Sequence, residues 1–137
     1  MAKVDSRWRE WTPYLLSIMR IITGFLFMQH GAQKIFSLLG GSRGGPPPFL
    51  SQSWIGGVLE FFGGLLIILG LFTRPVAFIL SGMMAVAYFQ FHAYARSEFW
   101  PILNGGELAA LYCFVFLYLS AAGGGPWSLD SIWRRSK

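Results

Sequence analysis

Ile55-Gly56-Gly57-Val58-Leu59-Glu60-Phe61-Phe62-Gly63-Gly64-Leu65-Leu66-Ile67-Ile68-Leu69-Gly70-Leu71-Phe72 contains one ionisable side chain, Glu60. A helix of a soluble bundle needs a polar outer face, and residues 65–72 offer none. At ~1.5 Å per residue the run is long enough for a helix to cross most of the ~30 Å hydrocarbon core of a bilayer. It reads as a membrane span with a carboxylate about five residues inside its start, where an unpaired charge is costly.

Three further apolar runs extend the pattern, over residues about 13–39, 75–95 and 105–122. The 137-residue chain is 54% apolar and 12% charged, and its apolar residues fall in long runs instead of amphipathic stripes. The expected fold is all-α, a single domain over 1–137 built as an antiparallel bundle of four transmembrane helices. The first run is long and the fourth short, which predicts tilt. The first run exceeds the core of a secretory signal, has Asp5 and Glu10 among its flanking charges, and lacks a small-residue cleavage site, so it is expected to remain as helix 1.

The six tryptophans lie at the ends of these runs, as an interfacial belt requires: Trp8, Trp11, Trp54, Trp100, Trp127 and Trp133. In a four-span bundle Lys3, Arg7, Arg9, Arg74, Arg134, Arg135 and Lys137 share one side, against Lys34, Arg43 and Arg96 on the other. That bias predicts both termini in the cytoplasm of a prokaryotic inner membrane. The sequence pI of about 9.8 is then explained by juxtamembrane basic residues facing anionic lipid. No basic stripe with interleaved aromatics suggests nucleic-acid binding.

The antiparallel arrangement brings His30, Lys34, Glu60, His92 and Glu107 to the outer third of the bundle. Arg20, Gly24, Phe27, Gly31 and Lys34 share one face of helix 1, with His30 beside it. Around Glu60, Gly56, Gly57, Gly63 and Gly64 permit close helix approach. His30-x-x-x-Lys34 is echoed by His92-x-x-x-Arg96, and Gly56-Gly57-x-x-Glu60 by Gly105-Gly106-Glu107. A pseudo-two-fold repeat of two helical hairpins and a chance match of short motifs both account for the echo. The loop over residues 40–53, rich in Gly and Pro, reads as a lid over this face or as a flexible connector.

Each residue also has a structural role open to it. Asn104 and Glu107 fit a capping box, Lys34 and Arg96 can snorkel, and the histidines can be neutral and hydrogen-bonded within the bundle. Arg20, alone in the inner half, is expected to snorkel or to meet a lipid phosphate. Glu60 lies too far along its span to cap it, and must pair with a cation such as Lys34 or Arg96 or be protonated.

His30-Gly31-x-x-Lys34-x-Phe36, Glu60-Phe61-x-Gly63-Gly64 continuing to Gly70-Leu71-x-Thr73-Arg74, Asn104-Gly105-Gly106-Glu107, and Gly125-Pro126-Trp127-Ser128-Leu129-Asp130 together resemble the DoxX family, over residues about 16–130. The resemblance implies a four-helix integral membrane protein of prokaryotic type. The wider DoxX/DoxD group includes a subunit of a thiosulfate:quinone oxidoreductase and mycobacterial members associated with oxidative-stress and thiol-handling partners; many members have no settled activity.

Quinone reduction needs donors to carbonyl oxygens, proton carriers and an apolar ring pocket. His30, His92, Lys34 and Arg96 are candidates for binding, Glu60, His92 and Glu107 for proton handling, and Phe27, Phe61, Phe62, Tyr88, Phe89 and Phe91 for the ring. The same polar residues also suit a purely structural knot between helices. Haem or metal ligation is disfavoured, because paired Glu-x-x-His motifs and a Cys-x-x-Cys-His attachment site are missing. Cys113 is the one cysteine, set mid-helix among apolar residues without a resolving partner, so any thiol or flavin chemistry is expected on another membrane or redox subunit. The competing function is a non-catalytic accessory or assembly subunit of a larger membrane complex.

Overall fold

The computed structural model describes residues 2–42 and 44–136, with side chains from Ser6 onward; Arg43, Lys137 and the side chain of Lys3, all used in the charge count, lie outside the described residues. Among the described residues six helical elements follow one another: α1 Ala2–Phe36, α2 Gln52–Leu69, α3 Thr73–Tyr94, α4 Pro101–Asn104, α5 Glu107–Ala122 and α6 Leu129–Arg135. Among the described residues there are no strands.

Three helices are long and apolar enough to cross a membrane: Ser6–Phe36 with 31 residues, α2 with 18 and α3 with 22. The fourth apolar helix, α5, has 16 residues and rises roughly 24 Å. The first apolar run, expected over residues about 13–39, is helical only as far as Phe36, and its helix starts earlier, at Ala2, with Pro13 in its interior.

The distribution of polarity suits lipid. Buried positions include Ser17, Arg20, Glu60, Thr73, Ser81, Asn104 and Ser128, while Ile22, Phe25, Leu65, Phe78, Ile79, Leu111 and Phe114 point outward. Lipid-facing side chains need not be polar, and the backbone and polar groups must be satisfied inside the bundle. The chain is a multi-pass membrane protein with an all-helical fold.

The helices pack as two antiparallel pairs, α1 on α2 and α3 on α5. Along the first pair a Cβ added at Gly24 would lie 2.9 Å from the Gly64 carbonyl oxygen, and one added at Gly31 only 2.4 Å from the Phe61 nitrogen. The backbones are in near contact there. Between the pairs, Phe27 meets Phe116 and Tyr112 edge to face, at 4.8 and 5.1 Å between ring centroids, and Ile67, Ala77, Leu80, Met84 and Leu119 complete the core.

The C-terminal segment meets α1 and the α2–α3 turn at one end of the bundle. α2 stops at Gly70, whose φ of +66° allows the N–H groups of Gly70 and Leu71 to close back on the carbonyls of Ile67 and Leu66. A tight turn then leads into α3, whose first N–H groups are orphaned. Asp130, far away in sequence, takes them: its carboxylate accepts from the Phe72 and Thr73 N–H groups, each at 2.8 Å. Burial opposes ionisation of Asp130, but these hydrogen bonds and nearby Arg134 prevail and hold its carboxyl below the usual range.

Arg20 anchors the same end and corrects the expectation of a snorkelling or lipid-bound arginine. It is 0% exposed, and its guanidinium donates to the carbonyls of Gly124, at 2.8 Å, Trp127, at 2.6 Å, Ile67 and Ile68. The last two belong to the last turn of α2, where the Ile67 carbonyl also accepts the Gly70 N–H. A planar fork with five N–H groups can serve several acceptors at once; an ammonium cannot.

Two outcomes follow for this end. Arg20→Ala, which strands buried carbonyls and opens a cavity, should lose at least ~3 kcal/mol of stability in detergent unfolding, and Arg20→Lys should recover less than half of that. Because Asp130 has a lowered folded-state pKa, its contribution is fully present above the ordinary carboxylate pKa and disappears as pH falls through the folded value. Melting temperature should therefore drop on acidification more steeply in the wild type than in Asp130→Ala, and parallel curves would contradict this account.

Candidate functional site

At the opposite end the two helix pairs splay around a cavity of about 480 Å³, within the ~300–1,000 Å³ range of small-molecule sites. Each of the four apolar helices contributes to its wall. α1 supplies Phe27, His30 and Lys34; α2 supplies Gln52, Gly56 and Glu60; α3 supplies Met83, Met84, Phe91 and His92; α5 supplies Leu108 and Tyr112. The surface is mainly apolar with a few convergent polar groups.

Glu60 is 5% exposed and forms an ion pair with Lys34, Nζ to Oε1 2.7 Å, while the Lys34 side chain is 37% exposed. The cation thus reaches in from the rim to a carboxylate held inside. Oε2 of Glu60 is buried and has no hydrogen-bond partner among the described residues. His92 sets Nδ1 3.2 Å from the Asn104 carbonyl oxygen, which can only accept, so Nδ1 is the protonated nitrogen in that contact. His30 stands edge-on to the Tyr112 ring, with centroids 6.3 Å apart. At the mouth, the Gln52 and Gln90 amides exchange hydrogen bonds at 2.7 and 3.1 Å, linking α2 to α3.

Glu60 and His92 both sit in wide helical turns. The Leu59–Gly63 and Tyr88–Tyr94 segments are π-helical interruptions of α2 and α3. Such turns cost helical regularity and recur at functional sites.

Asn104 and Glu107 do not form the expected capping box. Gly106 is the N-cap of α5, and the Asn104 side chain instead organises the preceding loop: Nδ2 donates to the carbonyls of Glu98 and Phe99 and to the Tyr88 hydroxyl, while Oδ1 accepts the Gly106 N–H at 2.7 Å. The two-residue reach to Gly106 outcompetes the three-residue reach of a box because α4 and Gly105, with φ +71°, turn the chain before α5 begins. Tyr88 locks the same loop by donating to the Phe99 carbonyl.

The structure brings His30, Lys34, Glu60 and His92 to one cavity, but Arg96 and Glu107 are exposed and line none of it. Of the aromatic residues expected around a ring, Phe27 and Phe91 line the cavity. Phe61 packs against Phe36 and Phe62, and Tyr88 against Phe89. From the loop over residues 40–53, Gln52 and Ser53 reach the cavity, already inside the first turn of α2. Tyr112, Met83 and Met84 went unread in the sequence, although Leu108, Tyr112 and Phe116 mark one face of α5 by their spacing of four. Among the described residues no three His, Cys, Asp or Glu side chains group as a metal site would require.

A second cavity, about 450 Å³, lies at the Arg20 end between Phe72, Arg74, Gly123 and Trp133. Its charges are already engaged: Asp130 caps α3, and Arg74 donates to the Ala121 carbonyl. Of these two cavities among the described residues, the one around Glu60 combines an apolar wall with a buried charge that has unused hydrogen-bonding capacity. Lys34→Met, which removes the partner of Glu60, should destabilise the protein by ~2–3 kcal/mol, and a double-mutant cycle with Glu60→Gln should show strong non-additivity in detergent unfolding. Additive losses would mean that the pair is energetically idle.

Comparison with known proteins agrees with this architecture. A family model described as DoxX matches residues 15–93. A Haemophilus influenzae protein, named as an uncharacterized protein, is 43% identical over 127 residues, covering 89% of this chain and 92% of that protein. No solved structure matches. The ordered motifs, the all-helical membrane fold and the family match lead to one assignment: the chain belongs to the DoxX family.

Proposed function

We propose that this protein is the membrane component of a quinone-linked redox system, and that the outer cavity binds a quinone or another lipophilic redox compound. The observation that carries this reading is the coincidence, in one largely apolar cavity, of His30, His92 and the Lys34–Glu60 pair, with one carboxylate oxygen unsatisfied. An apolar ring with polar oxygens matches such a wall, and Glu60 and His92 are the proton-handling groups in this proposal. Glu107 and Arg96 lie outside the cavity and are exposed, Glu107 in the first turn of α5.

The proposal places four spans in a prokaryotic inner membrane. α5 is the fourth, shortened at an end where α4 and the Gly105 turn occupy the interface. The ring contact between Tyr14 and Trp127 and the hydrogen bonds of Arg20 put the N-terminal part of α1, the α2–α3 turn and the C-terminal segment at one end, and the positive-inside bias makes that end cytoplasmic. The pairing of α1 with α2 and of α3 with α5 supports a pseudo-two-fold relation between hairpins, while the buried ion pair belongs to the first hairpin. Electrons come from another subunit in this proposal, since Cys113 is mid-helix and donates or accepts no dithiol chemistry by itself.

The test is retention of the membrane's own quinone pool, both redox forms counted together, by protein extracted in native lipid discs. Glu60→Ala and His92→Ala should each lower retained quinone about tenfold, the equivalent of one ~1.4 kcal/mol polar contact, in discs that still contain correctly sized protein. Unchanged retention would defeat the proposal and favour the accessory-subunit role.

A further inference from the structure

The donor and acceptor inventory of the outer cavity goes further than its size. An ionised carboxylate only accepts hydrogen bonds. Oε1 of Glu60 is taken by the Lys34 ammonium at 2.7 Å, and Oε2 faces no donor among the described residues although the residue is 5% exposed. His92 directs an N–H at Nδ1 to the Asn104 carbonyl, so a ring carrying one proton presents its lone pair at Nε2. That orientation is held firmly, because Asn104 is 0% exposed and its own side chain is pinned by Glu98, Phe99 and Gly106.

The two groups line the same cavity from neighbouring helices, and in this arrangement both offer acceptors. A quinone presents carbonyl oxygens, which are acceptors too, and would face them lone pair to lone pair. A hydroquinone presents two O–H donors. Lys34, the cavity's strong donor, directs one N–H at Glu60 and keeps the other two at the rim, where its side chain is 37% exposed, and His30 has no hydrogen-bond partner among the described residues that would fix its role. An unmatched buried acceptor is penalised more than a made hydrogen bond is rewarded, so the mismatch is a basis for selectivity.

From this inventory we infer that the cavity selects the reduced, hydroxyl-bearing form of a lipophilic ring, a hydroquinone or phenol, over the oxidised quinone, with Glu60 Oε2 and His92 Nε2 accepting its hydroxyl protons in hydrogen bonds. The inference rests on the quinone-site reading and specifies which redox form that site holds.

Three probes of nearly equal shape separate the alternatives: decyl-hydroquinone, decyl-benzoquinone and decyl-hydroquinone dimethyl ether, titrated anaerobically into the full chain in lipid discs, with empty discs as background. The hydroquinone should bind at least tenfold tighter than both others. Glu60→Gln, whose amide places a donor where Oε2 was, should move the hydroquinone-to-quinone ratio about tenfold toward the quinone. The wild-type comparison decides even where that variant fails to fold. Equal binding of hydroquinone and quinone, tighter binding of the quinone, or full binding of the dimethyl ether overturns the selectivity while leaving a quinone site in place. An unmoved ratio in folded Glu60→Gln removes Glu60 from the role assigned to it. Binding of none of the three above background overturns both this inference and the quinone-site reading.

Discussion

The guanidinium of Arg20 is a full charge with no carboxylate bound to it among the described residues, sunk among carbonyl oxygens from two separate parts of the chain. A charge in that position is tolerable only because the end of a helix carries the equivalent of a partial negative charge on its unsatisfied carbonyls. Ile67 and Ile68 provide that end, and Gly124 and Trp127 add two more acceptors from the C-terminal segment. One side chain therefore fixes α1 against α2 and fixes both against the tail. With the tail in place Asp130 reaches the start of α3, so the α2–α3 turn and the second helix pair inherit their position from the same anchor.

Satisfaction of the charged groups at that end has a counterpart in its absence at the other, although the Thr73 hydroxyl at the first end also has no hydrogen-bond partner among the described residues. Around Arg20 the charged groups are engaged by backbone, which describes a structural joint. Around Glu60 the protein supplies one cation from the rim and leaves an oxygen bare. Both sites are polar groups inside an apolar bundle, and in lipid each is costly unless paired. The difference in completeness is what separates scaffold from candidate site, and it is visible at the level of individual atoms.

The membrane character and the Glu60–Lys34 proximity were legible in the sequence because both depend on depth, and depth follows from counting residues along an apolar run at a fixed rise. Azimuth does not follow from counting when the helix changes its period. The π-helical turns at Leu59–Gly63 and Tyr88–Tyr94 leave the apolar pattern intact while redirecting the residues they contain. Arg96 and Glu107 lie at the same end of the bundle as the cavity, yet the linker between α3 and α5 folds into α4 and an Asn104-centred loop that leaves both outside. Arg20 was misread for another reason: its partners are backbone carbonyls, which carry no residue-type signature, and two of them lie more than a hundred residues away.

Why a cavity opens at one end of so small a bundle follows from where its small residues are. Gly24 against Gly64 and Gly31 against Phe61 draw α1 and α2 into backbone contact along much of their length. No comparable contact is needed between the pairs, which meet through the bulky Phe27, Tyr112 and Phe116 rings midway along the bundle. Below those rings Ile67, Ala77 and Leu119 fill the space, and the Arg20 joint closes it. Above them the pairs are joined at the surface by the Gln52–Gln90 amide pair, and the volume between remains open to a side chain from each helix. The aromatic cluster is thus both the centre of the core and the floor of the cavity, and the rigidity that holds the fold at one end is what keeps Glu60 and His92 in fixed relation at the other.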